Sequence, residues 1–198
     1  MSAVAQIQQL VIASGNTGKV KEFRDYLADF GVTLIAKPDN IDVEETGITF
    51  MENAHLKASQ VAIATQSWAI ADDSGLEVMA LNGAPGVLSA RYADSDRARI
   101  ERILQELAPY ANREAQFVCA IAISAPDGTI AADALGVCRG AIAESPRGSG
   151  GFGYDPIFLL PDLQKTFGEI AHAMKAQISH RANALALLRS KLQHLTLK

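Results

Sequence analysis

The chain has two cysteines, one tryptophan and only 6% aromatic residues in 198 positions. Cys119 and Cys138 each lie inside an apolar run without the Cys/His spacing of a zinc site, and read as reduced core residues. No apolar run approaches the ~20 residues a membrane helix requires. Met1 to Gln9 lacks the basic start and long apolar stretch of a secretory signal. A cytoplasmic protein without membrane contact is therefore expected. Positive charge is in slight deficit, 18 Lys and Arg against 22 Asp and Glu, for a net charge of -4. That balance disfavours a nucleic-acid-binding module held by phosphate neutralisation, yet leaves room for a local basic cluster around a small anion. Internal repeats, low-complexity segments and Ser/Pro-rich linkers are also missing.

What remains is ordinary globular composition, 48% hydrophobic and 20% charged. The length suits a single domain over 1–198, with one core or two lobes. Leu10 to Ala13 reads as a strand ending in a tight loop. Val20, Phe23, Leu27 and Phe30 then recur at helical spacing, closed by Gly31, and Val32 to Ala36 reads as a second strand. Thr49 and Glu52 have capping-box spacing ahead of an alanine-rich helix through Ala54, Ala58, Val61 and Ala62. Trp68 to Ala71 reads as a strand stopping at Asp72-Asp73-Ser74-Gly75. Ser95 onward, with Ile100, Ile103, Leu104 and Leu107, predicts a helix stopped by Pro109. Phe117 to Ser124 and Thr129 to Cys138 flank Pro126-Asp127-Gly128 as a hairpin, so the sheet should be mixed. Pro156 to Leu160 reads as a strand, and a last helix from near Ser179 carries Leu185, Leu188, Leu192 and Leu195 on one face. The class is α/β, a mixed central sheet flanked by helices.

Five groups of residues suggest chemistry. Ser14, Gly15, Asn16, Thr17, Gly18 and Lys19 join a strand to a helix, where amide groups and the helix dipole suit a phosphate; an ordinary strand–helix turn fits equally. The glycine spacing and Val20 after the lysine exclude a Walker A loop. Glu44-Glu45 and Asp72-Asp73 are acidic pairs. Carboxylates side by side at a strand end repel unless neutralised, which a hard cation such as Mg²⁺ would do; solvated turns are the plain alternative. Ser179-His180-Arg181 places basic residues in a helix's first turn, against its dipole, which calls for something anionic nearby, and Lys175 lies close in sequence. Gly148 to Gly153 supplies four glycines in six positions, and with Phe152, Tyr154 and Asp155 could present a ring and an acceptor to a base; otherwise it is a glycine-rich turn with two core aromatics. Asn53 and Lys57, four apart, share one helix face.

Together these residues resemble the inosine triphosphate pyrophosphatase family. The resemblance runs from Val11 to about Leu188, through Ser-Gly-Asn-Thr-Gly-Lys at 14–19, Glu-Glu-Thr-Gly-Ile-Thr-Phe-Met-Glu-Asn-Ala at 44–54 and Ala-Asp-Asp-Ser-Gly-Leu at 71–76. It continues in Gly-Ala-Pro-Gly at 83–86, Ser-Ala-Arg-Tyr at 89–92, Gly-Phe-Gly-Tyr-Asp-Pro-Ile-Phe at 151–158 and Ile-Ser-His-Arg at 178–181. It implies a mixed α/β fold of two lobes with the active site in the groove between them, and a homodimer. Residues 1–9 become a short N-terminal extension.

The resemblance further implies that Ser14, Gly15, Asn16, Thr17, Gly18 and Lys19 hold a triphosphate, and that Glu44 and Asp73 bind Mg²⁺, Asp73 also serving as general base. Lys57 and Ser74 would join the phosphate and metal shell. Phe152, Gly153, Tyr154 and Asp155 would enclose the base, with Lys175, His180 and Arg181 completing the nucleotide site. The expected activity is hydrolysis of ITP, dITP and XTP to the monophosphate and pyrophosphate, with His180 or Arg181 donating to the 6-oxo group. Where the family often carries an acidic pair before Lys175, this chain has Ala173-Met174. A pyrophosphatase for pyrimidine or modified nucleotides, and a nucleotide sensor without hydrolysis, are the rival functions.

Overall fold

The computed structural model describes residues 7–15, 17–27 and 31–196. Asn16, Phe30 and the side chains of Thr17, Leu192 and Leu195 fall outside the described parts. Parallel pairing starts the sheet: β1 (Gln9–Ile12) lies beside β2 (Thr33–Ala36), with α1 (Thr17–Leu27) as the crossover. Helix α2 (Phe50–Thr65) leads into β3 (Ala69–Val78), which also runs parallel to β1. The Thr49 hydroxyl accepts from Glu52 N and the Glu52 carboxylate accepts from Thr49 N, the full capping box expected, a device whose loss typically costs ~1 kcal/mol. Helix α3 (Asp96–Leu107) is capped by Ser95 and buries Ile100, Ile103 and Leu107. β4 (Glu114–Ser124) and β5 (Ile130–Ile142) form the expected hairpin, its turn closed by Gly128 N to Ala125 O and Ala125 N to Thr129 O. β6 (Phe158–Leu160) and β7 (Lys165–Thr166) add antiparallel pairs, giving the order β2-β1-β3-β4-β5-β6-β7. Two helices, α4 (His172–Ile178) and α5 (His180–Thr196), end the fold.

The chain divides into two compact units, with boundaries at Asp73/Ser74, Val118/Cys119, Gly136/Val137 and His180/Arg181. In the first, Ile12, Phe23, Leu27, Ile70, Ile121 and Leu188 are sealed in one core. In the second, Leu76, Val78, Ile103, Leu107, Phe158 and Phe167 fill another. Each such side chain stabilises its unit by roughly 1.5–3 kcal/mol on burial.

Two elements depart from the sequence reading. The strand expected to stop at Ala71 continues to Val78, because Leu76 and Val78 resume the buried pattern. Gly75 there serves close approach: a Cβ would lie 2.7 Å from Gly86 O, and the neighbouring Leu76 N donates to Ser89 Oγ at 2.9 Å. The last helix starts where expected, α5 beginning at His180, directly after Ser179, whose N–H donates to Lys175 O at the end of α4. The segment read as a strand from Pro156 starts as a 3₁₀ turn, Asp155–Ile157, before β6. β7, of two residues, and α4, of seven, are too short for periodicity to reveal.

Candidate active site

In the first unit, β3 carries two successive carboxylates, and the pleat directs successive side chains to opposite faces. Asp72 is 1% exposed. Its Oδ2 lies 3.1 Å from Lys19 Nζ of α1 and 3.0 Å from Arg181 Nη2 of α5. Arg181, equally buried, also pairs through Nη1 with Glu22 of α1. Burial alone would push the Asp72 carboxyl up, but Lys19, then Arg181 and Lys57, outweigh it and hold the group well below the usual carboxylate range.

Asp73 has different company, including two side chains of α2. Asn53 Nδ2 donates to its Oδ2 at 3.0 Å, and Lys57 Nζ lies 3.4 Å from its Oδ1. Lys57 also reaches Glu45 Oε1 at 2.5 Å. Here burial wins: Lys57, Lys19 and the Asn53 hydrogen bond pull the Asp73 carboxyl down, yet the net shift is upward. For Lys57 the balance reverses. Burial would depress the ammonium, and Asp73, Asp72 and Glu45 together raise it above its usual range. Adjacent carboxylates are thus driven in opposite directions, Asp72 by its cations and Asp73 by burial.

The expectation that Asp72 and Asp73 form one acidic pair at a strand end is corrected by this geometry. They lie within a continuing strand, and Lys19 and Arg181 neutralise Asp72. The anion demanded by Arg181 in the first turn of α5 is supplied by Asp72 and Glu22. Lys19 and Gly18 belong to the first turn of α1, with Ser14 and Gly15 in the loop before it. Glu44 lies exposed in the connection 37–49, while Glu45 beside it meets Lys57. Ser74 follows Asp73 on β3 and is half-buried.

In the second unit, the glycine-rich segment is pinned by Asp155, whose Oδ2 accepts from Phe152 N at 2.9 Å and from Lys175 Nζ at 2.6 Å. Gly151 has φ +75°, and a Cβ on it would collide with that same carboxylate oxygen, so only glycine fits. The Phe152 ring is 37% exposed and has Lys175 Nζ 4.7 Å from its centre. Of the two aromatics in the segment, Tyr154 is the buried one, and its hydroxyl donates to Ser89 O at 2.8 Å. Gly153 N donates to Asp96 Oδ2 at 2.8 Å. His180 stacks on Phe117, ring centres 4.7 Å apart and planes inclined by 17°. Asp155 supplies Lys175 with a carboxylate although Ala173-Met174 replaces the acidic pair before it.

A family model described as the Ham1 family matches residues 10–191. The chain belongs to the Ham1 family. It is 56% identical over 183 residues to a protein of Nostoc sp. named dITP/XTP pyrophosphatase, covering 92% of this chain and 93% of the relative. The Ham1 protein of Staphylococcus aureus has 47% identity and a TM-score of 0.85, with 94% of this chain and 98% of that one covered. A HAM1 protein from Coxiella burnetii has 42% identity and a TM-score of 0.87, over the same shares.

Within this Ham1-family chain, sequence reasoning passed over Glu22 and Asp96. Glu22 stands three residues after Lys19, which places both on one face of α1, and that spacing was the available signal. Asp96 opens α3 and looks like any acidic residue at a helix start; its bond to Gly153 joins positions 57 apart in sequence, which no local pattern reveals.

Proposed function

We propose that this chain hydrolyses deaminated purine nucleoside triphosphates, ITP, dITP and XTP, to the nucleoside monophosphate and pyrophosphate, removing them from the pool used for DNA and RNA. Membership of the Ham1 family and close identity to dITP/XTP pyrophosphatases along nearly the whole chain support this reading. The single observation that carries the chemistry is the geometry along β3, where Asp72 is paired with Lys19 and Arg181 while Asp73 faces Asn53 and Lys57 of α2. Two titratable groups pushed apart by their surroundings mark a division of labour, one a fixed anion and the other a proton acceptor.

In this reading Asp73 takes the proton from a water as its oxygen attacks the α-phosphorus. The bond between that phosphorus and the oxygen bridging to the β-phosphorus breaks, and pyrophosphate leaves with the electron pair. Burial raises the basicity of Asp73. Lys57 and Lys19 oppose the charge gathering on the leaving group. Ser14, Gly15, Asn16, Thr17 and Gly18 grip the triphosphate at the start of α1, with Ser74 alongside the phosphates. Asp72 ties Lys19 of α1 to β3, and Arg181 links Asp72 to Glu22.

Glu44 and Asp73 are the proposed Mg²⁺ ligands. The donor chemistry fits, because both residues offer only oxygens, the ligands a hard cation takes. Mg²⁺ bound there would offset triphosphate charge and increase the acidity of water. In the second unit Phe152 offers its face to the purine, while Asp155, Lys175, Gly153 and Tyr154 fix the segment that carries it. Of His180 and Arg181, the two candidates for donating to the 6-oxo group, His180 is the one proposed, because Arg181 is sealed between Asp72 and Glu22. We further propose a cytoplasmic homodimer. Among the described residues no helix is long and apolar enough to cross a membrane.

A panel of ITP, dITP, XTP, ATP, GTP and pyrimidine triphosphates, assayed for pyrophosphate release with Mg²⁺ and with chelator, tests the reading. The expected result is release from the three deaminated nucleotides in Mg²⁺ alone. Equal rates on ATP and GTP would discard the selectivity, and undiminished turnover in chelator would discard the metal.

A further inference from the structure

Asn53 is a fully buried carboxamide in the first turn of α2, with a separate partner at each end. Its Nδ2 donates to Asp73 Oδ2 at 3.0 Å, and its Oδ1 accepts from Gly47 N at 2.8 Å. An ionised carboxylate only accepts and a peptide N–H only donates, so one orientation of the amide satisfies both. Gly47 belongs to the connection that carries Glu44 and Glu45. A Cβ on it would lie 2.7 Å from Asn53 Oδ1 and from Glu52 Cβ, so the connection comes this close only because position 47 has no side chain. Four residues along the same helix face, Lys57 reaches Glu45 at 2.5 Å and Asp73 at 3.4 Å. The result is a closed circuit from Asp73 through Asn53 and Gly47 to Glu45 and through Lys57 back to Asp73.

We infer that Asn53 is the positioning residue of this circuit, fixing the rotation of the Asp73 carboxylate with one end of its amide and holding the acidic connection against α2 with the other. The two bridges differ in kind. Lys57 offers a charge for which incoming phosphates compete, whereas the Asn53 bonds involve no cation and persist when phosphate arrives. With Asn53 on Oδ2 and Lys57 on Oδ1, the direction in which the Asp73 carboxylate faces is set from α2. This role rests on the proposed function for its kinetic consequence, but its structural half does not depend on that function.

Two variants open the circuit at different points. Asn53→Asp places acceptors against the Asp73 carboxylate while still accepting from Gly47 N. Gly47→Ala displaces the connection while leaving the Asn53–Asp73 bond. For Asn53→Asp, kcat on dITP is expected to fall about 10–100-fold, the usual consequence of losing an orienting partner, with KM held within ~3-fold. For Gly47→Ala, the readout is cleavage of the metal-free, nucleotide-free protein by a Glu-specific protease. Cutting after Glu44 and Glu45 should accelerate by about 5–10-fold, the equivalent of one lost hydrogen bond. Cutting after exposed Glu144, in the other unit, should be unchanged.

Unchanged kcat in Asn53→Asp, or a loss residing in KM alone, would overturn the positioning of Asp73. Unchanged cutting at Glu44 and Glu45 in Gly47→Ala, or an equal rise at Glu144, would overturn the hold on the connection. A wild-type protein inert towards dITP, ITP and XTP would instead remove the proposed function, and the protease result would still decide the circuit.

Discussion

Arg181 Nη2 stands 3.0 Å from Asp72 Oδ2, and both side chains are closed off from solvent. A buried ion pair gives modest net stability over an apolar substitute, but removing one member strands the other. Asp72→Asn should therefore lower unfolding free energy by about 3–5 kcal/mol in a urea titration. The sign with pH follows from the depressed Asp72 carboxyl. Its stabilisation is fully present above the ordinary aspartate value of ~3.9 and is lost as pH falls through the lower folded value. An Asp72→Asn protein as stable as wild type would contradict the arrangement.

The neighbouring substitution should do the opposite. Asp73→Asn removes the proposed base but strands no second buried cation, since Lys57 keeps Glu45. Circular dichroism and urea midpoint should stay close to wild type, while kcat on dITP falls about 10²–10⁴-fold. Near-normal turnover in this variant would move the base elsewhere.

Gly151→Ala should disable the second unit's segment without reaching the first. Its φ of +75° disfavours any side chain, and the new methyl would drive into Asp155, which holds Phe152 N and Lys175. Strain of this kind costs about 1–3 kcal/mol. The expected signature is a raised KM for dITP with little loss in the accessibility of the first unit to turnover at saturating nucleotide. A fall in kcat with KM intact would argue against Phe152 as the purine's platform.

Burial pushes the Cys119 thiol up to about 12 and the Cys138 thiol up to about 11. At pH 8 the thiolate fraction is then at most about one part in 10³. Native protein should give almost no reaction with Ellman's reagent over minutes, and two equivalents should react after unfolding in guanidinium. Prompt labelling of native protein would show that one of these strands opens.

Much of this was legible in the sequence where a local rule applied. The capping box at Thr49 and Glu52, the α3 face through Ile100, Ile103 and Leu107, and the hairpin at Pro126-Asp127-Gly128 are each dictated within a dozen residues. The pairing of Asp72 with Arg181 is not, because those residues lie 109 positions apart and meet only when α5 packs on the strand. Asp72-Asp73-Ser74-Gly75 misled for a related reason. Its composition is that of a turn, and only the contact of Gly75 with Gly86 and Ser89 explains why the strand passes straight through. Tyr154 shares its glycine-rich neighbourhood with Phe152, yet the Ser89 carbonyl draws one ring inward while the other stays exposed.

The pleat of β3 makes the chain intolerant of length there in a way it is not of composition. A residue deleted between Ala69 and Asp72 would swap the two acids across the sheet, seating the proposed base among Lys19 and Arg181. Drift in that strand is thus confined to exchanges of one side chain for another, and its reading frame is as much a part of the chemistry as either acid.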